Sequence, residues 1–452
     1  MSLLVKDRNF YKNLAAIALP IALQNAIGFG VQMMDTIMVG SLGDTALSAA
    51  NLAGQPYFIF MVFNFGLASG GSVLIAQYWG KGNVDVVRRV MGISIRYIAI
   101  TAVLFSGVCY FFPTQIMTLF SHEPEVIRLG AGYLRVFAFS FIFNGIAGCY
   151  MMSLRAVENV NLPTIVYSVS FFVNVFFNYA FIFGKFGMPE LGVVGAAYGT
   201  VIARFSEFVI VLIYSSFIEK KILFKLRYLF RKEKELIPDY FRHSIPVVGS
   251  ELVWSLGAVT QAAIIGRIGS TFVAANSIAS VMQQLAMVFM FGLGNAAAVT
   301  MGKTVGEGRI GDAKKQGKTI VFMAMAVGVA ACGVIFVIRN YAVMLYNVTP
   351  EVKALAVEIM GVMAFLLALT SLEIVCISGV LRGGGDTKFA FAVDACCTWL
   401  IGVPMGLLAG FVWKLPVIWV YVCLRSDIPV RVLLCLTRIF GEKYIKNVTR
   451  DL

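Results

Sequence analysis

Histidine is almost missing from this 452-residue chain, and charge is scarce for its length. Only His122 and His243 occur, both in or beside loops, which argues against histidine-based chemistry inside the apolar segments. Charged residues make up 13% of the chain, whereas a soluble domain carries about a quarter. The eight cysteines fall in or beside apolar segments and form no CxxC pair, so neither a disulfide framework nor a zinc site is indicated. Two Walker-like endings, Gly302-Lys303-Thr304 and Gly317-Lys318-Thr319, lack the glycine five positions upstream, where Ala297 and Asp312 stand. No ATP-driven mechanism follows from them. Without a paired-acid motif, a metal cluster or an extramembrane domain, a membrane enzyme or receptor has no support either.

What the chain does have is apolar length. Hydrophobic residues are 59% of it and the mean hydropathy is +0.83. These values define an integral membrane protein, and the length accommodates about a dozen helical spans. The pattern predicts spans near 13–40, 50–78, 88–112, 127–153, 162–184 and 191–217. After a basic linker come spans near 243–267, 273–301, 318–340, 351–380, 388–412 and 415–438. The domains expected are an N-lobe over 1–218, a basic amphipathic linker over 219–242 lying along the headgroups, and a C-lobe over 243–452. The cationic start, Lys6, Arg8 and Lys12, precedes a run too long for a signal peptide and reads as a retained first helix.

The formal charge of +13 is spread over every second loop rather than gathered in a patch, which points to topology and not to a nucleic-acid partner. Lys81, Arg88, Arg155, Arg309, Lys314, Arg382, Lys443 and Lys446 share one side, so both termini are expected in the cytoplasm. The sequon Asn347-Val348-Thr349 is a weak signal in a chain of bacterial style.

The halves repeat. Pro20 and Pro246, Gly40 and Gly266, Gly43 and Gly269, and the turns Gly80-Lys81-Gly82 and Gly306-Glu307-Gly308 all recur at an offset of 226 residues. Ala49-Ala50-Asn51 recurs as Ala274-Ala275-Asn276, and Leu154-Arg155 as Leu381-Arg382, each one residue out of step. Parallel six-span repeats place a substrate site near the membrane midplane. Where the repeat breaks, chemistry is expected: Asp35 aligns with Gln261, and Asn25 with Glu251.

Asp35 sits within the first apolar run, where an ionisable group costs several kcal/mol unless paired or hydrated. Asn174 and Asn178 are spaced i, i+4 and present both amides on one face. With Thr200 they would offer one carboxylate and several neutral oxygens, suited to a hard cation, while a buried acid also suits a proton. The asparagines equally fit plain interhelical hydrogen bonding. In the second half Glu251, Glu373 and Asp394, with Gln261, could form a second ion or substrate site, or else pair with intramembrane arginines. Arg204/Glu207 and Asp427/Arg431 have the spacing of self-neutralising pairs on one helix. Met33, Met34, Met61 and Met287 suit an adaptable apolar lining or ordinary core packing.

The Pro20…Asp35 spacing, VGSLGDTALSAAN, LIAQYWGKGN and LRGGGDT together resemble the multidrug and toxic compound extrusion (MATE) family along nearly the whole chain. The resemblance implies an all-α membrane protein of about twelve spans in two pseudo-symmetric six-helix lobes around a central cavity. It implies export of organic cations and drugs in exchange for Na⁺ or H⁺ by alternating access, without a bound cofactor, from a monomer in the inner membrane. The family's N-lobe cation site maps onto Asp35, Asn174, Asn178 and Thr200, and its helix-bending proline onto Pro20. The family's C-lobe acids are displaced from Glu251 and Glu373. A flippase for lipid-linked precursors is the alternative. It would need several cavity cations, and few basic residues, such as Arg96, Arg135 and Arg204, fall within spans.

Overall fold

The computed structural model describes residues 4–231, 233–346 and 348–451; Asn347 of the sequon lies outside the described residues. With no water inside a bilayer, a spanning backbone must satisfy its own N–H and C=O groups, and helices do so within one segment. Among the described residues every regular element is helical.

The first half runs through α1 (Arg8–Gly40), α2 (Asp44–Ala53), α3 (Gln55–Gly80), α4 (Val84–Phe111), α5 (Pro113–Phe120), α6 (Pro124–Ala156), α7 (Asn161–Phe183) and α8 (Val193–Ile213). A connector carries the single short helix α9 (Arg227–Phe230). The second half comprises α10 (Leu236–Ile268), α11 (Ser270–Gly306), α12 (Ile310–Ala342), α13 (Pro350–Ile374), α14 (Thr387–Cys397), α15 (Val403–Leu407), α16 (Val417–Leu424) and α17 (Asp427–Phe440). The segment after α13 continues as a π-helical stretch to Leu381; a second such stretch joins α14 to α15, and a third extends α15 to Val412. Among the described residues, eleven segments are long and apolar enough to cross a membrane. The twelfth is broken between α16 and α17 at Arg425 and Ser426.

The protein is thus an all-α integral membrane protein with about twelve spanning segments in two pseudo-symmetric halves. The symmetry extends to the helix boundaries. Gly80 and Gly306 close equivalent helices, Val84 and Ile310 open the next pair, and Pro124 and Pro350, then Asn161 and Thr387, open the two after that, all 226 residues apart. Gly82 and Gly308, with φ of 78° and 76°, make the same left-handed turn in each half, a conformation only glycine adopts cheaply.

One expected boundary moves. The seventh span begins at Leu236, inside the stretch read as linker, because Ile237, Tyr240 and Phe241 carry the apolar face on toward its N-terminus. Tyr240 is buried, and its hydroxyl donates to the Leu67 carbonyl at 3.1 Å. The connector itself is not a continuous amphipathic helix. Its Glu219 carboxylate accepts from the Lys221, Ile222 and Leu223 amides, and its Glu233 pairs with Arg89 of α4. The short α5 falls below the length of a span, so the hydropathy pattern does not reveal it.

The chain divides into two compact units. One holds Leu23–Ile75 and Asn83–Ser244; the other holds the chain up to Ala22, Ala76–Gly82, and everything from Ile245 on. In the first, Tyr57, Phe60, Phe137 and Phe141 form an aromatic core in which Phe60 and Phe141 stack at 5.2 Å. In the second, the repeated glycines let helix ends touch through backbone. A Cβ on Gly80 would meet the Lys303 carbonyl, and one on Gly306 would meet that of Gln77.

The last residues are stitched into the second unit. Tyr444 is 0% exposed, and its hydroxyl donates to the Ala313 carbonyl at 3.2 Å. Gln77 pairs with the tail backbone as a neighbouring strand would, its Nε2 donating to the Lys446 carbonyl at 3.1 Å and its Oε1 accepting from the Val448 amide at 2.8 Å. Asp386 of the LRGGGDT motif receives Arg438 at 2.9 Å and Lys446 at 2.6 Å. Lys314 and Lys318 both reach Glu442, and they hold its carboxyl below its ordinary value.

The glycine contacts give a signed expectation. Gly80→Val or Gly306→Val should cost roughly 1–3 kcal/mol by forcing backbones apart. Gly107→Ala, whose added methyl meets nothing, should instead gain up to about 1 kcal/mol of helix propensity. Thermal unfolding in detergent, followed by size-exclusion fluorescence, reads both.

Candidate functional site: two buried polar clusters

The first cluster is built by α1, α7 and α8 within one unit. Gly184, in a left-handed conformation at φ 63°, ends α7, and the Leu191 amide bonds back to the Phe181 carbonyl at 2.8 Å. That turn returns α8 antiparallel against α7. Gly195 and Gly199, one turn apart, lie against the Phe181 backbone and against Asn178 respectively. Such small residues let membrane helices approach closely. The close approach brings Thr200 to Asn174.

The polar groups then form a chain. Asn178 Nδ2 donates to an Asp35 carboxylate oxygen and to Asn174 Oδ1 at 3.3 Å. Asn174 Nδ2 donates to Thr200 Oγ1 at 3.4 Å, and Thr200 donates to the Ala196 carbonyl at 3.0 Å. All four residues singled out in the sequence for this half therefore come together. Asn178 Oδ1 is buried without a hydrogen-bond partner among the described residues. One carboxylate, two amides and a hydroxyl make a donor set of oxygens suited to Na⁺, and the orphaned amide oxygen is one ligand short of a partner. The carboxylate alone suits a proton.

One turn beyond Thr200, Arg204 Nη1 bonds Glu207 Oε1 at 2.6 Å, with the two side chains 19% and 0% exposed. This pair is neutral on its own helix. Asp35, by contrast, is met by an amide and not by a cation.

The second cluster lies in the other unit, and arginines dominate it. Arg431 of α17 is 4% exposed; it pairs with Glu373, with Asp427 at 2.5 Å and with Thr398 at 2.8 Å, and stands 3.9 Å from Asp394. Asp394 also accepts from Ser250 at 2.6 Å. Glu251 pairs with Arg382 at 2.9 Å. Gln261 lies apart, its Nε2 donating to the Leu424 carbonyl at 3.2 Å. The Asp427/Arg431 spacing revealed one of these contacts; the reach of Arg431 to Glu373 crosses helices and leaves no local signal. Four carboxyl groups share the two guanidinium partners Arg431 and Arg382 here. Pro20 and Pro246 both lie inside unbroken helices, where each removes one backbone hydrogen bond.

The comparisons agree with this architecture. The MatE family pattern matches residues 20–180 and 246–408, one match per half, and the chain belongs to that family. It is 26% identical to the probable multidrug resistance protein NorM of Thermotoga maritima, over 97% of this chain and 95% of the relative. It is also 26% identical to the multidrug resistance protein MdtK of Pectobacterium atrosepticum, over 88% and 87%. A crystal structure of a MATE protein in the bent conformation superposes with a TM-score of 0.84 at 20% identity, covering 96% of each chain.

Arg431→Met should destabilise by roughly 3–5 kcal/mol, since it leaves buried carboxylates unpaired. Adding Glu373→Gln and Asp427→Asn to it should restore most of the loss. Thermal unfolding of the purified variants measures the difference.

Proposed function

We propose that the protein is a secondary active multidrug exporter that exchanges organic cations and drugs for Na⁺ or H⁺, with Asp35 as the coupling carboxylate. The observation that carries this reading is the charge count of the first cluster. Arg204 and Glu207 pair with each other, and Asp35 is hydrogen-bonded by the Asn178 amide with no ion-pair partner among the described residues. A monovalent cation compensates it one to one. Binding the ion would favour one state of the transporter and binding the drug another, and that difference in affinity drives exchange. Pro20 weakens α1 between its first turns and Asp35, so the helix can bend there as the ion leaves. The names of the NorM and MdtK relatives support drugs as the cargo. The basic loops support an inner-membrane topology with both termini in the cytoplasm.

The surplus of carboxyl groups over guanidinium partners in the second cluster supports a further, C-lobe ion or substrate role for Glu251, Glu373 and Asp394. Within it the arginine pairs anchor the helices, and ion binding falls to the carboxylate oxygens they leave over.

Asp35→Asn should insert and unfold like the native chain yet reduce gradient-driven dye efflux from proteoliposomes to background. Imposing a Na⁺ or an H⁺ gradient separately identifies the coupling ion. Undiminished efflux by the variant under both gradients would overturn the assignment.

A further inference from the structure

Away from both clusters, a recess of about 320 Å³ opens between the N-terminal segment and the start of α12. Its outer wall is fixed in place: the Val5 amide donates to Thr319 Oγ1 at 3.0 Å, and the Tyr11 hydroxyl donates to the Val5 carbonyl at 2.8 Å. The first turns of two 33-residue helices, α1 and α12, border it. The N-terminus of α12 has no side-chain cap, and its free N–H groups and dipole favour an anion.

Arg309 stands between Glu307 and Asp312, 3.2 Å from the latter, and Asp7 accepts the Asn9 amide at 2.9 Å. Lys6 and Lys315 also line it, are exposed, and have no ion-pair partner among the described residues. The neighbouring Lys314 and Lys318 are occupied by Glu442. Deeper in, Gln316 is only 9% exposed and lines the recess with its Oε1 unpartnered. A buried carbonyl oxygen calls for a donor. The rim carries an exposed apolar side chain, Leu4 on the N-terminal segment.

We infer that this recess binds the headgroup of an anionic phospholipid that carries both a phosphate and a hydroxyl. Lys6, Lys315 and the α12 N-terminus hold the phosphate, Gln316 Oε1 accepts from the hydroxyl, and the acyl chains leave past Leu4. A soluble phosphate offers the first contact but neither the second nor the third. The site is independent of the transport reading, since it shares no residue with either polar cluster.

The test is native mass spectrometry of the purified full chain with added lipid. Phosphatidylglycerol should be retained well above phosphatidylcholine. Lys6→Ala and Lys315→Ala should each weaken its binding roughly fivefold, the usual weight of one lysine near an anionic surface. Lys220→Ala, which removes an exposed cation elsewhere, should change nothing. Gln316→Leu should weaken phosphatidylglycerol but not phosphatidic acid, whose headgroup has no glycerol hydroxyl. Equal retention of phosphatidylcholine, indifference to both recess lysines, or an equal loss in Lys220→Ala would overturn the site. Displacement of the lipid by millimolar inorganic phosphate would assign the recess to a soluble anion and overturn the lipid reading.

Discussion

Inside a lipid-spanning helix a carboxylate has no water to lean on, so what it touches decides what it does. The two halves of this protein answer that constraint differently. In the first, Arg204 pairs with Glu207, and Asp35 has an amide partner, Asn178, whose own oxygen is unsatisfied. In the second, Arg431 gathers Glu373 and Asp427 and stands near Asp394. An amide partner can be exchanged for an incoming cation at little electrostatic cost. A guanidinium held by several carboxylates is hard to displace, because every partner it leaves becomes an uncompensated buried charge. Helix packing serves the same end: without Gly195 and Gly199, α7 and α8 would stand further apart and Thr200 would not reach Asn174.

Much of this was legible in the residues. Apolar run lengths define the spans because lipid leaves the backbone few alternatives, and the 226-residue repeat fixes their pairing. Asn174 and Asn178 announce a shared face through i, i+4 spacing, and Thr200 joins them by resemblance to a known family. Other features were not legible, for physical reasons. The N-terminal extension of α10 rests on Tyr240 reaching Leu67, a contact 173 residues apart in sequence. The links from Arg431 to Glu373 and from Arg382 to Glu251 likewise span 58 and 131 residues. Local spacing carries information about one helix; it carries none about which helix stands opposite.

The repeat also shows which positions are constrained by backbone and which by chemistry. Gly80 and Gly306 hold equivalent places because each lets a carbonyl of the opposite helix come close, and Gly82 and Gly308 because the turn needs a left-handed residue. These constraints fall on both halves alike. Asp35 and Glu251 have no equivalent acid in the other half, and each half has adopted a different means of carrying its charge.

The stitched C-terminus bears on how the chain matures. Gln77 is among the first residues to be made, yet its amide waits for the backbone at Lys446 and Val448, and Tyr444 fills a space between Gly317 and Gly384. That edge of the unit is therefore sealed by partners 369 and 371 positions apart in sequence, and helices inserted early must wait for it until both have been made.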